Sequence, residues 1–253
     1  MCTEPDSLPP VPVIAGAAVD HDDLVLEAED GNHLAAFVAR PSDPASVGIV
    51  ICPDVRGLAH FYEELALRFA ERGYAAVAID YYGRVAGAEK RSEDFPAMEF
   101  RSHLDVDAAK LDIAAAIDFI HGQGVESVFT LGCCFGATVA WLATTGDRQL
   151  AGAIGYHGGL GDRGDKPGPT RSAGEMKAPI LALQGGADEH ITAADNAAFD
   201  AALSAAGVEH EVVIEPGAPH SFFDRRFEEY ADQSADAWRR TLEFIERHSR
   251  VTA

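Results

Sequence analysis

The chain has 253 residues, 47% hydrophobic and 24% charged, proportions that set aside disorder, collagen-like repeats and coiled coil. Its 41 acidic against 20 basic side chains leave a formal charge of −21, a field that repels phosphate backbones and anionic lipid, so neither nucleic acid nor membrane is an expected partner. No stretch reaches the roughly 20 consecutive apolar residues of a spanning helix, and the N-terminus lacks a basic region before its apolar residues, which predicts a cytoplasmic location.

Residues 1–20, with Pro5, Pro9, Pro10 and Pro12 among acidic residues, read as an irregular arm, and residues 21–253 as a single domain. Strand-like runs over 24–27 and 34–40 flank the turn-forming Glu29-Asp30-Gly31-Asn32 and predict a hairpin. The run over 47–52 (VGIVIC) has no polar face, as a strand buried on both sides requires. Phe61, Leu65 and Phe69 recur at helical spacing before Gly73, and 74–80 returns as a strand.

A patternless stretch over 83–101 precedes a helix with Leu104, Ala108, Leu111 and Ala115 on its apolar side, ending near Gly122. Strands are then predicted over 127–131, 150–156, 179–184 and 211–214, with helices over 135–145, 193–206 and 235–248 and a glycine-rich loop over 158–174. Such alternation calls for an α/β fold with a mostly parallel sheet covered by helices on both faces, and ligands bind beyond the carboxyl ends of its strands.

At one of those ends stands Gly132-Cys133-Cys134-Phe135-Gly136, the nucleophile-elbow pattern with cysteine as nucleophile, between a predicted strand and a predicted helix. Register selects Cys134, because glycines lie two residues to either side of it, and leaves Cys133 to pack beneath the turn. A helix N-terminus favours the thiolate. An acid and then a histidine follow in the order this architecture requires, Asp188 after the strand over 179–184 and His220 after the strand over 211–214. The expected oxyanion donors are the backbone N–H groups of Phe135 and of Val55 in the loop after the strand over 47–52. The four cysteines, Cys2, Cys52, Cys133 and Cys134, are too few and irregular for a disulfide scaffold, and no zinc-ligand spacing is present.

With these residues in view, the sequence resembles the dienelactone hydrolase (carboxymethylenebutenolidase) family of the α/β-hydrolase superfamily over about residues 24–248. Cysteine in the elbow, with Asp188 and His220-Ser221-Phe222 behind it, is the most specific part of the likeness. The resemblance implies an α/β-hydrolase fold and hydrolysis of a lactone or ester through an acyl-enzyme on the cysteine, with no cofactor and no metal. It also implies that Asp54 takes the place of a family glutamate contacting the thiol, and that Arg84 is the first arginine holding a substrate carboxylate. The second family arginine follows the histidine by four positions, where this chain has Asp224, with Arg225 and Arg226 next. Tyr82, His157 and Arg225 complete the expected substrate-binding residues.

Plainer readings stand beside these. Asp54 is also a turn former, Arg84 an ordinary ion-pair residue, and His60, His103, His157 and His210 surface or loop histidines. The shifted arginine leaves a general carboxylesterase or thioesterase-like hydrolase as the alternative. A non-catalytic binding protein of the same fold, or a thiol sensor using Cys133 and Cys134, are the alternatives of another class.

Overall fold

Apolar runs with no polar face must be covered on both sides, and the computed structural model, which describes residues 7–17, 19–92, 94–224 and 228–249, does this with one eight-stranded sheet. The strands are β1 (Val19–Glu27), β2 (His33–Pro41), β3 (Val47–Cys52), β4 (Ala75–Ile79), β5 (Ser127–Cys133), β6 (Gly152–Tyr156), β7 (Ile180–Gly185) and β8 (His210–Glu215). Their order is β1-β2-β4-β3-β5-β6-β7-β8. The predicted hairpin, β1–β2, pairs antiparallel along its length from Val19↔Pro41 to Glu27↔His33 and joins β4 antiparallel; β4 onward is parallel throughout. Strand β1 begins at Val19, within the stretch expected as irregular arm.

The helices are α1 (His60–Ala70), α2 (Gly83–Ala86), α3 (Ala97–Phe100), α4 (Val106–Gly122), α5 (Phe135–Ala143), α6 (Pro169–Ser172), α7 (Ala193–Ala206) and α8 (Ala231–His248). Alternation along the strands divides the core in two. Val50, Cys52, Val77 and Ile79 face α4, α5 and α7, while Ile49, Ile51, Ala76 and Ala78 face α1 and α8. The predicted stripe Phe61, Leu65 and Phe69 is buried in this second layer. Helix α7 starts on a Thr192–Asp195 capping box and stops at Gly207, which has φ +70°.

Two expectations need correction. The buried face of α4 is Val106, Ala109, Ile113, Ala116, Ile117 and Ile120, one step round from Leu104, Ala108, Leu111 and Ala115, which are half-buried. Asp105 sets this phase by capping the helix, its carboxylate accepting from the Asp107 and Ala108 N–H groups, so Leu104 lies outside. The stretches over 83–101 and 158–174 also contain the short helices α2, α3 and α6. Among the described residues no helix is long and apolar enough to cross a membrane.

Candidate active site

Strand β5 ends at Cys133 and α5 begins at Phe135, so Cys134 alone makes the turn, with φ 54° and ψ −116°. A non-glycine residue there carries strain of about 1–3 kcal/mol and persists only where its surroundings over-determine it. They do so here: the Cys134 N–H donates to the Tyr156 carbonyl at 3.0 Å, and its own carbonyl accepts from the Thr138 N–H at 3.3 Å. The flanking glycines are required by close approach. A Cβ on Gly132 would stand 2.2 Å from the Gly136 carbonyl carbon, and one on Gly136 only 1.9 Å from the Cys52 carbonyl oxygen. Cys134 is partly exposed, whereas Cys133 points into the layer of α1 and α8 and is fully buried. Cys52 is buried too, and burial pushes its thiol pKa up. Cys2 lies outside the described residues.

Two strands along the sheet, the loops after β7 and β8 are tied together. The Gly186 N–H donates to the Glu215 carbonyl at 2.8 Å and the Ala187 N–H to the Ala218 carbonyl at 2.9 Å. This brings Asp188 to His220, whose Nδ1 is 2.7 Å from Asp188 Oδ2. Asp188 Oδ1 accepts from the His190 and Ile191 N–H groups at 2.8 and 3.2 Å. Burial raises the Asp188 pKa, but these hydrogen bonds, led by that of His220, outweigh it and hold the carboxyl below its ordinary value. A carboxylate on Nδ1 fixes the tautomer that leaves Nε2 basic.

The two expected oxyanion donors sit on adjacent parallel strands, Val55 after β3 and Phe135 at the start of α5. Neither N–H donates to a described residue. The Val55 loop is braced by Asp80, a buried acid that sequence reasoning passed over. Asp80 Oδ1 accepts from the Leu58 N–H at 3.1 Å, and Oδ2 from the Tyr82 N–H and from Nε and an Nη of Arg91 at 2.9–3.0 Å. Asp54 is also buried, and its Oδ1 accepts from the Arg56 N–H at 2.7 Å, the turn role foreseen as its plainer reading.

Among the expected substrate-binding residues, Tyr82 is 1% exposed and donates its hydroxyl to the Val55 carbonyl, so it ties down a loop instead of forming a pocket rim. Arg84 forms ion pairs with Asp30 and with Asp112, the latter at 2.8 Å, and donates to the Ala108 carbonyl. That is its plainer reading, and local sequence hides it because the partners are far away in the chain. His157 is fully buried, its ring centroid 4.7 Å from that of His220. Asp224 is buried as well, with Oδ2 3.4 Å from His157 Nε2. Arg225 and Arg226 lie outside the described residues.

A cleft of about 290 Å³ is lined by Thr138, Gly159, Leu160, Arg163, His190 and Ile191. Arg163 lays its guanidinium over the Phe135 ring at 4.9 Å, and the His190 ring is 5.9 Å from that of His220. Both come from loops with no readable periodicity, which is why sequence reasoning missed them. A larger cleft of about 550 Å³, lined by Arg56, His60, Arg91 and Phe95 among others, lies toward α1, and Cys134, Asp188 and His220 line neither cleft.

Comparison with known proteins agrees with this architecture. A Yersinia pestis protein assigned as a carboxymethylenebutenolidase is 28% identical over 233 residues, covering 86% of this chain and 85% of its own. The carboxymethylenebutenolidase of Rhodococcus opacus is 28% identical over 259 residues, covering 99% and 98%. The structure of a Klebsiella pneumoniae protein assigned to the dienelactone hydrolases superposes with a TM-score of 0.78 at 24% identity, over 90% of this chain and 99% of that one, a likeness of fold. The family model of the dienelactone hydrolases matches residues 34–249, and the chain therefore belongs to the dienelactone hydrolase family of the α/β-hydrolase superfamily, hydrolases of esters and lactones.

Proposed function

We propose that this chain hydrolyses a carboxylic ester or lactone through an acyl-enzyme on Cys134. The observation that carries the reading is the 2.7 Å hydrogen bond between Asp188 and His220, together with a strained, partly exposed cysteine at the start of α5. In this reading His220 Nε2 takes the thiol proton and Cys134 Sγ attacks the carbonyl carbon. The oxyanion accepts hydrogen bonds from the Phe135 and Val55 N–H groups. Collapse of the tetrahedral species breaks the bond to the alkoxy oxygen, which leaves with the proton from His220. Water then attacks the thioester, giving its proton to His220, and the acid and free thiol are released. Every step is supplied by side chains and main chain, without metal or cofactor.

Two observations favour a simple ester over a carboxylate-bearing lactone. Arg84 is engaged by Asp30 and Asp112, and Asp224 holds the position of the second family arginine. The substrate is a small molecule taken up from the cytoplasm in this reading. Initial rates on p-nitrophenyl acetate and on a dienelactone, for wild type and Cys134→Ala, test it. The expected outcome is turnover of the simple ester that the variant loses by at least about 10³-fold, in line with the loss of a covalent nucleophile. Preferred turnover of the dienelactone returns the carboxylate-binding lactonase, and full activity in Cys134→Ala removes the cysteine mechanism. Silence of the wild type on both substrates favours the non-catalytic reading.

A further inference from the structure

Among the described residues three that are not glycine have positive φ: Cys134 at 54°, His157 at 40° and Ser221 at 64°. The first is the elbow and the last adjoins His220, but His157 has no step in the chemistry above. Its backbone is pinned by donation of its N–H to the Leu183 carbonyl at 2.8 Å, and its side chain is wholly buried. The ring meets that of His220 edge to face, with planes at 62°, and Phe222 lies 6.0 Å away. Its Nε2 approaches Asp224 at 3.4 Å, short of hydrogen-bond geometry, and neither ring nitrogen makes a hydrogen bond to a described residue. Burying a polar ring without hydrogen bonds is costly, so a plain apolar residue would be the better filler here.

We propose that His157 is a positioning residue for the general base, its ring standing against the His220 imidazole and keeping it seated on Asp188 while it gains and loses its proton. This rests on the reading of His220 as that base. The hydrogen bond at Nδ1 anchors the partly buried His220 imidazole at one edge, and a ring turned about its Cβ–Cγ bond no longer presents Nε2 to the thiol. A neighbour that blocks this turning must also stay uncharged, because a second cation would oppose the imidazolium. Burial lowers the pKa of His157, and the nearby His220 lowers it further against the pull of Asp224 and Asp188. Among the described residues these three are the titratable groups that face it.

The test compares wild type, His157→Asn, His157→Phe and Cys134→Ala on p-nitrophenyl acetate from pH 5 to 9, with folding checked by circular dichroism. Asparagine tolerates positive φ but removes the ring, whereas phenylalanine keeps a ring without its nitrogens. The Asn variant is expected to lose about tenfold or more in kcat with KM within twofold and to displace the acidic limb of its pH profile, and the Phe variant to recover most of the kcat. An Asn variant with wild-type kcat and limb overturns the proposal, as do Asn and Phe variants that lose kcat equally with an unmoved limb. Should either variant fail to fold, imidazole nitrogen NMR of the wild type decides: His157 stays neutral from pH 5 to 9 while His220 titrates, and a titrating His157 overturns the proposal. Activity surviving in Cys134→Ala is the failure of the hydrolase reading, not of the ring contact, which the NMR still reads.

Discussion

At the scale of single residues, the site depends on contacts too close for any extra atom. Gly136→Ala puts a methyl group where the Cys52 carbonyl oxygen would be 1.9 Å away and the Pro53 carbonyl oxygen 2.4 Å away, both rigid main chain. Overpacking of this kind costs about 1–3 kcal/mol or more. The variant should lower the unfolding free energy in urea by that amount and also depress kcat, since the strand that must yield leads into the Val55 loop. Wild-type stability in the urea titration would show that the elbow has slack. Cys134, Asp188 and His220 were legible because each stands in a short local pattern at a strand end. Asp80 with Arg91, Arg84 with Asp30 and Asp112, and His157 with Asp224 were not, because each pairing joins loops that only the folded sheet brings together.

At the scale of elements, strands without a polar face were read closely, β3 to the residue, because continuous apolar runs leave one interpretation. Helix α4 was read one step out of phase, since alanines on every side blur its stripe and its buried face includes an acid. That acid, Asp112, accepts from Asn32 Nδ2 at 2.9 Å and from Arg84 at 2.8 Å. Burial nevertheless outweighs both partners and pushes its pKa up to about 6 from 3.8. Because the folded value is the higher one, the native state binds more protons than the unfolded chain between those values. The contribution of Asp112 to stability is therefore full below about pH 4 and is lost as the pH rises through 6. Asp112→Asn removes the titration while keeping an oxygen for both donors. Its stability relative to wild type should improve by about 2 kcal/mol between pH 4 and pH 7.5, measured by urea unfolding at each pH. A difference that stays flat across that range would mean that Arg84 keeps Asp112 ionised.

At the scale of the whole molecule the governing quantity is the charge of −21, which composition alone makes legible, whereas its consequences depend on how far the acids stand apart in the fold. Exposed Asp20, Asp22 and Asp23 on β1 lie at one edge of the sheet, and β8 with Glu211 at the other. Surface pairs such as Arg148–Asp118 contribute at most about 1 kcal/mol each, so salt removes little attraction while screening repulsion that acts over the whole surface. The Debye length falls from about 30 Å at 0.01 M salt to about 10 Å at 0.1 M. Thermal unfolding should accordingly shift upward with sodium chloride over that range, and a gain of about 1 kcal/mol corresponds to about 2–4 °C for a chain of this size. The same field acts on substrates before they reach the candidate site. An ester carrying a carboxylate is repelled at long range, and a neutral ester of the same size is not. The ratio of kcat/KM for the charged ester to that for the neutral one should therefore rise with salt, because screening removes a barrier that only the anion meets. A ratio that falls with salt would locate an attractive cation at the mouth of the site strong enough to reverse the global field. The guanidinium of Arg163 over Phe135 is the group to remove next in that case, with Arg163→Ala expected to restore the rising ratio.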